Sequence, residues 1–467
     1  MTNDLARWQF ATTSIYHFLF VPVTIGLAFL VAILHTAWYR TDNPEYKRMT
    51  RFFGTLLLIN VAVGVVTGLV QEFEFGMNWS TYSRFVGGVF GAPLAMEGLA
   101  AFFLESTFIG LWLFGWNRLP KRVHLATIWA VAIGSMLSAL FILIANSWMQ
   151  HPVGYKLNSA GQPVLNNVWA LFVNPTFLWG YAHVILASLV TGSLVMLAVS
   201  AWYLRKQRHV ESFHRTAKVA LIVLIPVIVI QLSVGNKLGQ IEAEYQPMKI
   251  AASEAQWNSC KPCSFSVAQI GGFGSSDETA TKIIQIPHLL SILATGTFSG
   301  PVTGLNQLQA QYQAKYGPGN YIPNVAIQYW SMRTMAGLGS LVLLLALWGG
   351  WLLHRGKLRS SKPFLWVAVW AVITPFLMNT AGWLLTESGR QPWIVQGLQK
   401  TVNANSPSVS STEIWISLVV LVLAYTVLGA ADLVLMLRYS RHGLAQADAE
   451  AAEPSATPDT PVPALTY

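Results

Sequence analysis

Nine apolar runs of roughly 20 residues or more constrain this chain before any other feature does. They lie at about 14–38, 52–71, 93–116, 124–147, 177–203, 217–235, 325–353, 364–386 and 412–437. About 20 residues of helix cross the hydrocarbon core of a bilayer. Backbone groups in hydrocarbon must be satisfied within the segment, so each run is expected to be helical. The expected fold is an all-α polytopic membrane protein with nine transmembrane helices in bundles. Composition agrees, because only 10% of residues are charged and 53% are hydrophobic. A net charge of +9 would suggest nucleic acid in a soluble protein. Here the basic residues fall in short loops between the runs, where they report topology instead.

Alternate loops carry the charge. Arg40, Lys47, Arg48 and Arg51 follow the first run, and Arg118, Lys121 and Arg122 follow the third. Arg205, Lys206, Arg208, Arg215 and Lys218 follow the fifth; Arg355, Lys357, Arg359 and Lys362 follow the seventh. With Arg438 and Arg441 these make 18 of the 29 basic residues on one side. The short loops opposite hold Arg84, Lys156, Arg390 and Lys400. The positive-inside rule then places the N-terminus outside and the C-terminus in the cytoplasm. The first run is too long for a cleaved signal peptide and lacks a small-residue cleavage site, so it is expected to stay as a helix.

This divides the chain into 1–236 (helices 1 to 6), an outer connection at 237–324, 325–442 (helices 7 to 9) and a tail at 443–467. The outer connection is too long for a plain linker and is expected to be functional. The tail is rich in Ala, Glu, Asp, Pro and Thr and is expected to be disordered. The two cysteines, Cys260 and Cys263, lie in the outer connection as C-K-P-C. No βαβ context supports thioredoxin chemistry, and two thiols make a poor zinc site. The expectation on an oxidising face is a disulfide that stiffens the loop, or none.

Ionisable residues inside membrane helices are functional candidates by default. His35, His124, His209, His214, His354 and His442 fall at cytoplasmic ends or in loops. His17 and His183 lie in outer halves of helices, where each either bonds a neighbouring carbonyl or ligates iron. Arg333 and Met335 sit a few turns inside helix 7. An arginine there needs an anion, and a haem propionate would serve. A thioether with an imidazole gives six-coordinate low-spin haem iron. Glu97 and Glu105 are eight residues apart, about 80° around an ideal helix, so both can face one interior region. They are read as proton-relay candidates with Ser106, Ser138 and Asn146 as companions. Asp432 is read either as interfacial or as a proton entry point. With Glu387, the candidates sort to the outer half, which predicts one buried cluster under the 237–324 loop.

At these residues the chain resembles the large subunit (subunit I) of cytochrome bd-type quinol oxidases. The matching segments are YHFLFVP (16–22), FGAPLAMEGLAAFFLESTFIGLW (90–112), ANSWMQHPVG (145–154), AHV around His183, MKIAASEAQW (248–257), MRTMAG (332–337) and GWLLTESGRQPW (382–393). The resemblance runs to about residue 440. It implies that His183 and Met335 are axial ligands of a low-spin haem b558 with Arg333 nearby. It implies that His17 and Glu387 ligate the two high-spin haems, b595 and d. Glu97 and Glu105 would lie near those haems on a proton path. Lys249 and Glu254 would serve quinol binding and oxidation in a loop of the short type. Trp383 and Arg390 would pack near the haems and their propionates.

The implied partners are a second membrane subunit (subunit II), small accessory subunits, ubiquinol or menaquinol, O2 and the bilayer. The implied location is the bacterial cytoplasmic membrane. The implied activity is quinol oxidation at the outer face coupled to O2 reduction, with protons released outside and taken up from inside, so that proton motive force follows. A proton-coupled transporter is the rival from another class, but no inverted repeat is visible. A haem–copper oxidase would need several imidazoles together, and no His-His pair occurs. A variant with only b-type haems fits the same residues.

Overall fold

The computed structural model describes residues 2–274 and 280–452, with side chains given to residue 445. Among these residues nine helices are long and apolar enough to cross a membrane. We label them α1 (Thr2–Thr41), α2 (Pro44–Met77), α3 (Ser80–Phe114), α4 (Lys121–Gln150), α5 (Pro175–Arg205), α6 (Val210–Tyr245), α7 (Val325–His354), α8 (Lys362–Gly389) and α9 (Ser411–Ala452). Each expected run has its helix, but most helices are longer than their apolar stretch. α6 runs on to Tyr245, so the outer connection begins at Gln246 and not at residue 237. α9 continues to Ala452, inside the segment read as a disordered tail. Its end, LAQADAEAA, consists largely of good helix formers, which composition read as disorder overlooks. Residues 453–467 of that segment lie outside the described residues.

Local chemistry sets several boundaries. Asn-Pro opens α2 and α5: the Asn43 and Asn174 side chains accept from Glu45 N at 2.9 Å and Thr176 N at 3.1 Å. Proline at the first helical position costs nothing, because its missing N–H would have been unpaired there. In α8, Pro375 cannot donate to Ala371, and the turn before it tightens to 3₁₀ at Ala371–Ile373. In α3, Pro93 precedes a π-helical turn at Glu97–Phe102.

α1 and α5 form the centre, and α9 is almost wholly exposed. α1 and α5 meet backbone to backbone at Gly26 and Gly192, where a Cβ on Gly192 would lie 2.4 Å from the Gly26 carbonyl carbon. Only glycine permits that approach.

The outer connection is a small folded unit. It holds helices at Pro247–Ser253, Leu289–Thr295 and Leu305–Tyr316, and an antiparallel hairpin of Phe265–Ile270 with Thr281–Ile286. Met248, Ala252, Trp257, Leu305 and Tyr321 bury themselves against Val325 and Tyr329 of α7. Cys260 and Cys263 form a disulfide, and Cys260 pairs with Val302 across the loop.

Candidate functional site

The outer end of α4 is where the site begins. Its last carbonyls have no partner within the helix. Gln396 N donates to Met149 O at 2.9 Å, and Gln246 Nε2 donates to Gln150 O at 2.6 Å. Two separate outer segments are thereby tied to one helix end.

Side chains on the same helix end continue the connection. Lys249 Nζ donates to Glu242 Oε2 at 2.6 Å and to Gln150 Oε1 at 2.7 Å. Gln150 Nε2 donates to Asn146 Oδ1 at 2.8 Å, and Asn146 Nδ2 donates to Glu387 Oε1 at 2.8 Å. Arg390 closes the row on Glu387 Oε2 at 2.5 Å. Lys249 is buried, and burial lowers its pKa against the pull of Glu242. A Cβ on Gly389 would lie 2.5 Å from Lys249 Cγ and 2.4 Å from Gln328 Oε1, so the lysine stem lies against bare backbone of the TESGRQPW segment.

A second ion pair fixes the same loop. Arg333 holds Glu254 with two parallel bonds, Nη1 to Oε1 at 3.1 Å and Nη2 to Oε2 at 2.7 Å. It also donates to the carbonyls of Ser253 and Ser266. Its guanidinium lies 3.8 Å from the Tyr329 ring centroid. Arg333, expected beside the low-spin haem, lies two residues before Met335 and pairs with Glu254. The anion it needs is supplied by Glu254. Burial raises the pKa of Glu254, and Arg333 opposes that shift.

Glu97 and Glu105 both face α4. Ser138 Oγ donates to Glu97 Oε1 and Ser135 Oγ to Glu105 Oε1, each at 2.8 Å. The ideal helical angle between them is replaced by the π turn at Glu97–Phe102, which is wider than α. Ser138 is the companion expected, whereas Asn146 pairs with Glu387, and Ser106 bonds back to Phe103 O.

The remaining candidates stand singly. His17 Nδ1 shares a hydrogen with Thr67 Oγ1 at 2.9 Å. His183 is approached by Gln231 Nε2 at 3.3 Å. Each faces glycine on a neighbouring helix. A Cβ would come 3.0 Å from His17 Cε1 at Gly68, 3.1 Å from His183 Cε1 at Gly235 and 3.3 Å from Met335 Sδ at Gly382. Gly339, one turn beyond Met335, lies beside Leu232 of α6, one turn from Gly235. Trp383, one turn before Glu387, meets Phe18 edge-on at 4.9 Å, which joins α8 to the helix bearing His17.

These residues fit haem. No group of three or more His, Cys, Asp or Glu among the described residues is placed to hold a bare metal ion. Single ligands suit an iron whose equatorial positions a porphyrin fills. Arg390 is 3% exposed, and its Nε and Nη1 have no partner. A buried guanidinium left half-satisfied is costly, and a propionate is the kind of anion that completes it.

Sequence reading passed over several members. Ser135 is one turn before Ser138, so its spacing could have shown it. Glu242 and Gln150 lie beyond the apolar runs and had no such signal. Glu74 also lies beyond its run, yet α2 extends past it. It is fully buried and accepts from Gln9 Nε2 at 3.0 Å. His35 and His124, at the cytoplasmic ends of α1 and α4, are buried within an aromatic cluster with Trp112 and Trp116.

A helical membrane protein with singly placed imidazole, thioether and carboxylate candidates beside a half-satisfied buried guanidinium is, by class, a haem-carrying redox protein. The chain belongs to the family of cytochrome bd terminal oxidase subunit I, whose model matches residues 5–444. It is 46% identical to the cytochrome bd ubiquinol oxidase subunit 1 of Bacillus subtilis (strain 168), over 94% of this chain and 93% of that one. It is 38% identical to the cytochrome bd-II ubiquinol oxidase subunit 1 of Escherichia coli (strain K12), over 94% and 96%. Among solved structures it matches the bd oxidase from Geobacillus thermodenitrificans with a TM-score of 0.85 at 29% identity, covering 94% of this chain and 98% of that chain. It is thus a haem-bearing terminal oxidase subunit of the respiratory chain, multi-pass in the bacterial cytoplasmic membrane.

Proposed function

We propose that this subunit oxidises membrane quinol under its outer loop and that the electrons reduce O2 to water, without a separate proton pump. Two quinols supply the four electrons that one O2 takes up with four protons. His183 and Met335 would hold a low-spin haem b558, and His17 and Glu387 the high-spin haems b595 and d. When bound, these haems supply the electron transfer and O2 chemistry that side chains lack. Trp383 packs beside that pair, and Arg390 offers its two unmatched donors to propionates.

The observation that carries this reading is the Arg333 clamp. Arg333 lies two residues before Met335 and holds Glu254, so the loop is fixed over the helix that bears the thioether. Glu254 is the base that takes a quinol hydroxyl proton in this reading, with Lys249 steadying the loop from the other side. We assign the outer connection as the quinol-binding unit. Relatives named for ubiquinol and, at 27% identity, for menaquinol both support a quinol substrate.

Glu105 and Glu97 deliver protons to the outer half. They lie beside an open apolar face of α3 that exposes Met96, Leu99, Phe102 and Phe103. A carboxylate beside lipid is expensive. That edge supports a second membrane subunit, subunit II, that covers it and completes the path from the cytoplasm, with room elsewhere for small accessory subunits.

The test compares two variants in the purified oxidase. Glu254→Gln lowers quinol-driven O2 uptake roughly 100-fold or more, the range of a lost general base, while the dithionite-reduced spectrum stays the same. Met335→Leu alters the low-spin haem spectrum and spares the other haems. Wild-type quinol turnover in the first, or three unchanged haem signals in the second, overturns the corresponding assignment.

A further inference from the structure

The row from Lys249 to Glu387 has a direction that its two ends impose. An ammonium can only donate, so the group Gln150 turns toward Lys249 has to be its carbonyl oxygen. An ionised carboxylate can only accept, so Asn146 has to turn its NH2 toward Glu387. The remaining pair, Gln150 Nε2 to Asn146 Oδ1 at 2.8 Å, is then the one arrangement in which all three bonds form. Gln150 and Asn146 are one helical turn apart, so α4 presents both amides on one face. The amide dipoles point the same way between a cation in the loop and an anion on α8, and each bond polarises the next. Gln150 is buried, and the backbone carbonyl of the same residue is held by Gln246 of the loop. Amides do not readily exchange protons along such a row, so it transmits position and field and not protons.

We propose that Gln150 is a positioning residue that couples the Lys249–Glu242 pair of the quinol loop to the Glu387 carboxylate. It fixes the Lys249 ammonium on one side. On the other it orients Asn146 so that Glu387 Oε1 is held, while Arg390 holds Oε2. A change at the quinol loop is thereby felt at Glu387 through three hydrogen bonds. This inference rests on the reading of Lys249 as a quinol-loop residue and of Glu387 as a ligand of high-spin haem iron.

The experiment uses the purified oxidase complex with Gln150→Leu and Gln150→Glu, and with Glu387→Gln as a control. The readouts are quinol KM, kcat, haem content, and the spectrum and midpoint potential of each haem. Gln150→Leu removes both bonds. It should raise quinol KM roughly tenfold, equivalent to about 1.4 kcal/mol, and shift the high-spin signals. The low-spin signal and the haem content should hold. Gln150→Glu keeps an acceptor for Lys249 but loses the donor to Asn146. It should return KM toward wild type while the high-spin shift remains. Wild-type KM and spectra in both Gln150 variants, with Glu387→Gln depleted of a high-spin haem, overturn the inference alone. So does an equal loss of all haems in both variants, which marks a purely structural role. Haem signals left unchanged by Glu387→Gln overturn the reading of Glu387 and the inference with it.

Discussion

Gly389 shows how much a single position decides here. It sits between Glu387 and Arg390, and the Lys249 stem occupies the space a side chain would need. Gly389→Ala forces the lysine or Gln328 to move, an overpacking cost of about 1–3 kcal/mol. The expected outcome is a higher quinol KM with an unaltered low-spin haem spectrum. Steady-state kinetics on the purified variant check it, and a wild-type KM would show that Lys249 yields freely. That Glu387 and Arg390 sit together was legible in TESGRQPW, and Arg333 was legible as needing an anion. Which anion it takes was not. Glu254 is 79 residues away, and only the folded loop brings it to the guanidinium.

At the scale of elements, the nine helices were legible because hydrophobic length alone reports them. Their ends were not. α2, α6 and α9 all outrun their apolar stretches, since helix can continue in water or against protein once tertiary contacts support it. The π turn in α3 was also hidden, because hydrophobic periodicity does not resolve one extra residue in a turn. It sets how Glu97 and Glu105 share the α4 serines. Glu97→Gln keeps an acceptor for Ser138 Oγ but cannot take up and release a proton. O2 reduction should then slow, as it should in Glu105→Gln, with the low-spin haem retained. Turnover equal to wild type in both would remove the two glutamates from the proton path.

On the scale of the whole molecule, the outer-half sorting of candidates pointed to one roofed cluster. The loop bonds to α4, α6 and α7 through Gln246, Lys249 and Glu254, while His17, His183 and Met335 stand apart from those bonds. The internal fold of that loop was not readable, because its hairpin and short helices are stabilised by contacts distant in sequence. Its disulfide joins Cys260, which pairs with Val302, to Cys263, whose N–H bonds Ser291 Oγ at 2.8 Å. Replacing both cysteines with serine should loosen the 260–302 region, seen as faster limited proteolysis and a raised quinol KM. Unchanged kinetics would make the bridge dispensable for the reaction.

The central claim is that side chains in the outer half of this chain hold haem iron. A pyridine haemochrome assay with a dithionite-reduced minus oxidised spectrum of the purified oxidase tests it most directly. Two b-type haems and one d-type haem per complex are expected, the low-spin b signal being the one changed by Met335→Leu. A preparation that catalyses its reaction without haem, or whose haem signals are indifferent to His17, His183, Met335 and Glu387 alike, would contradict it.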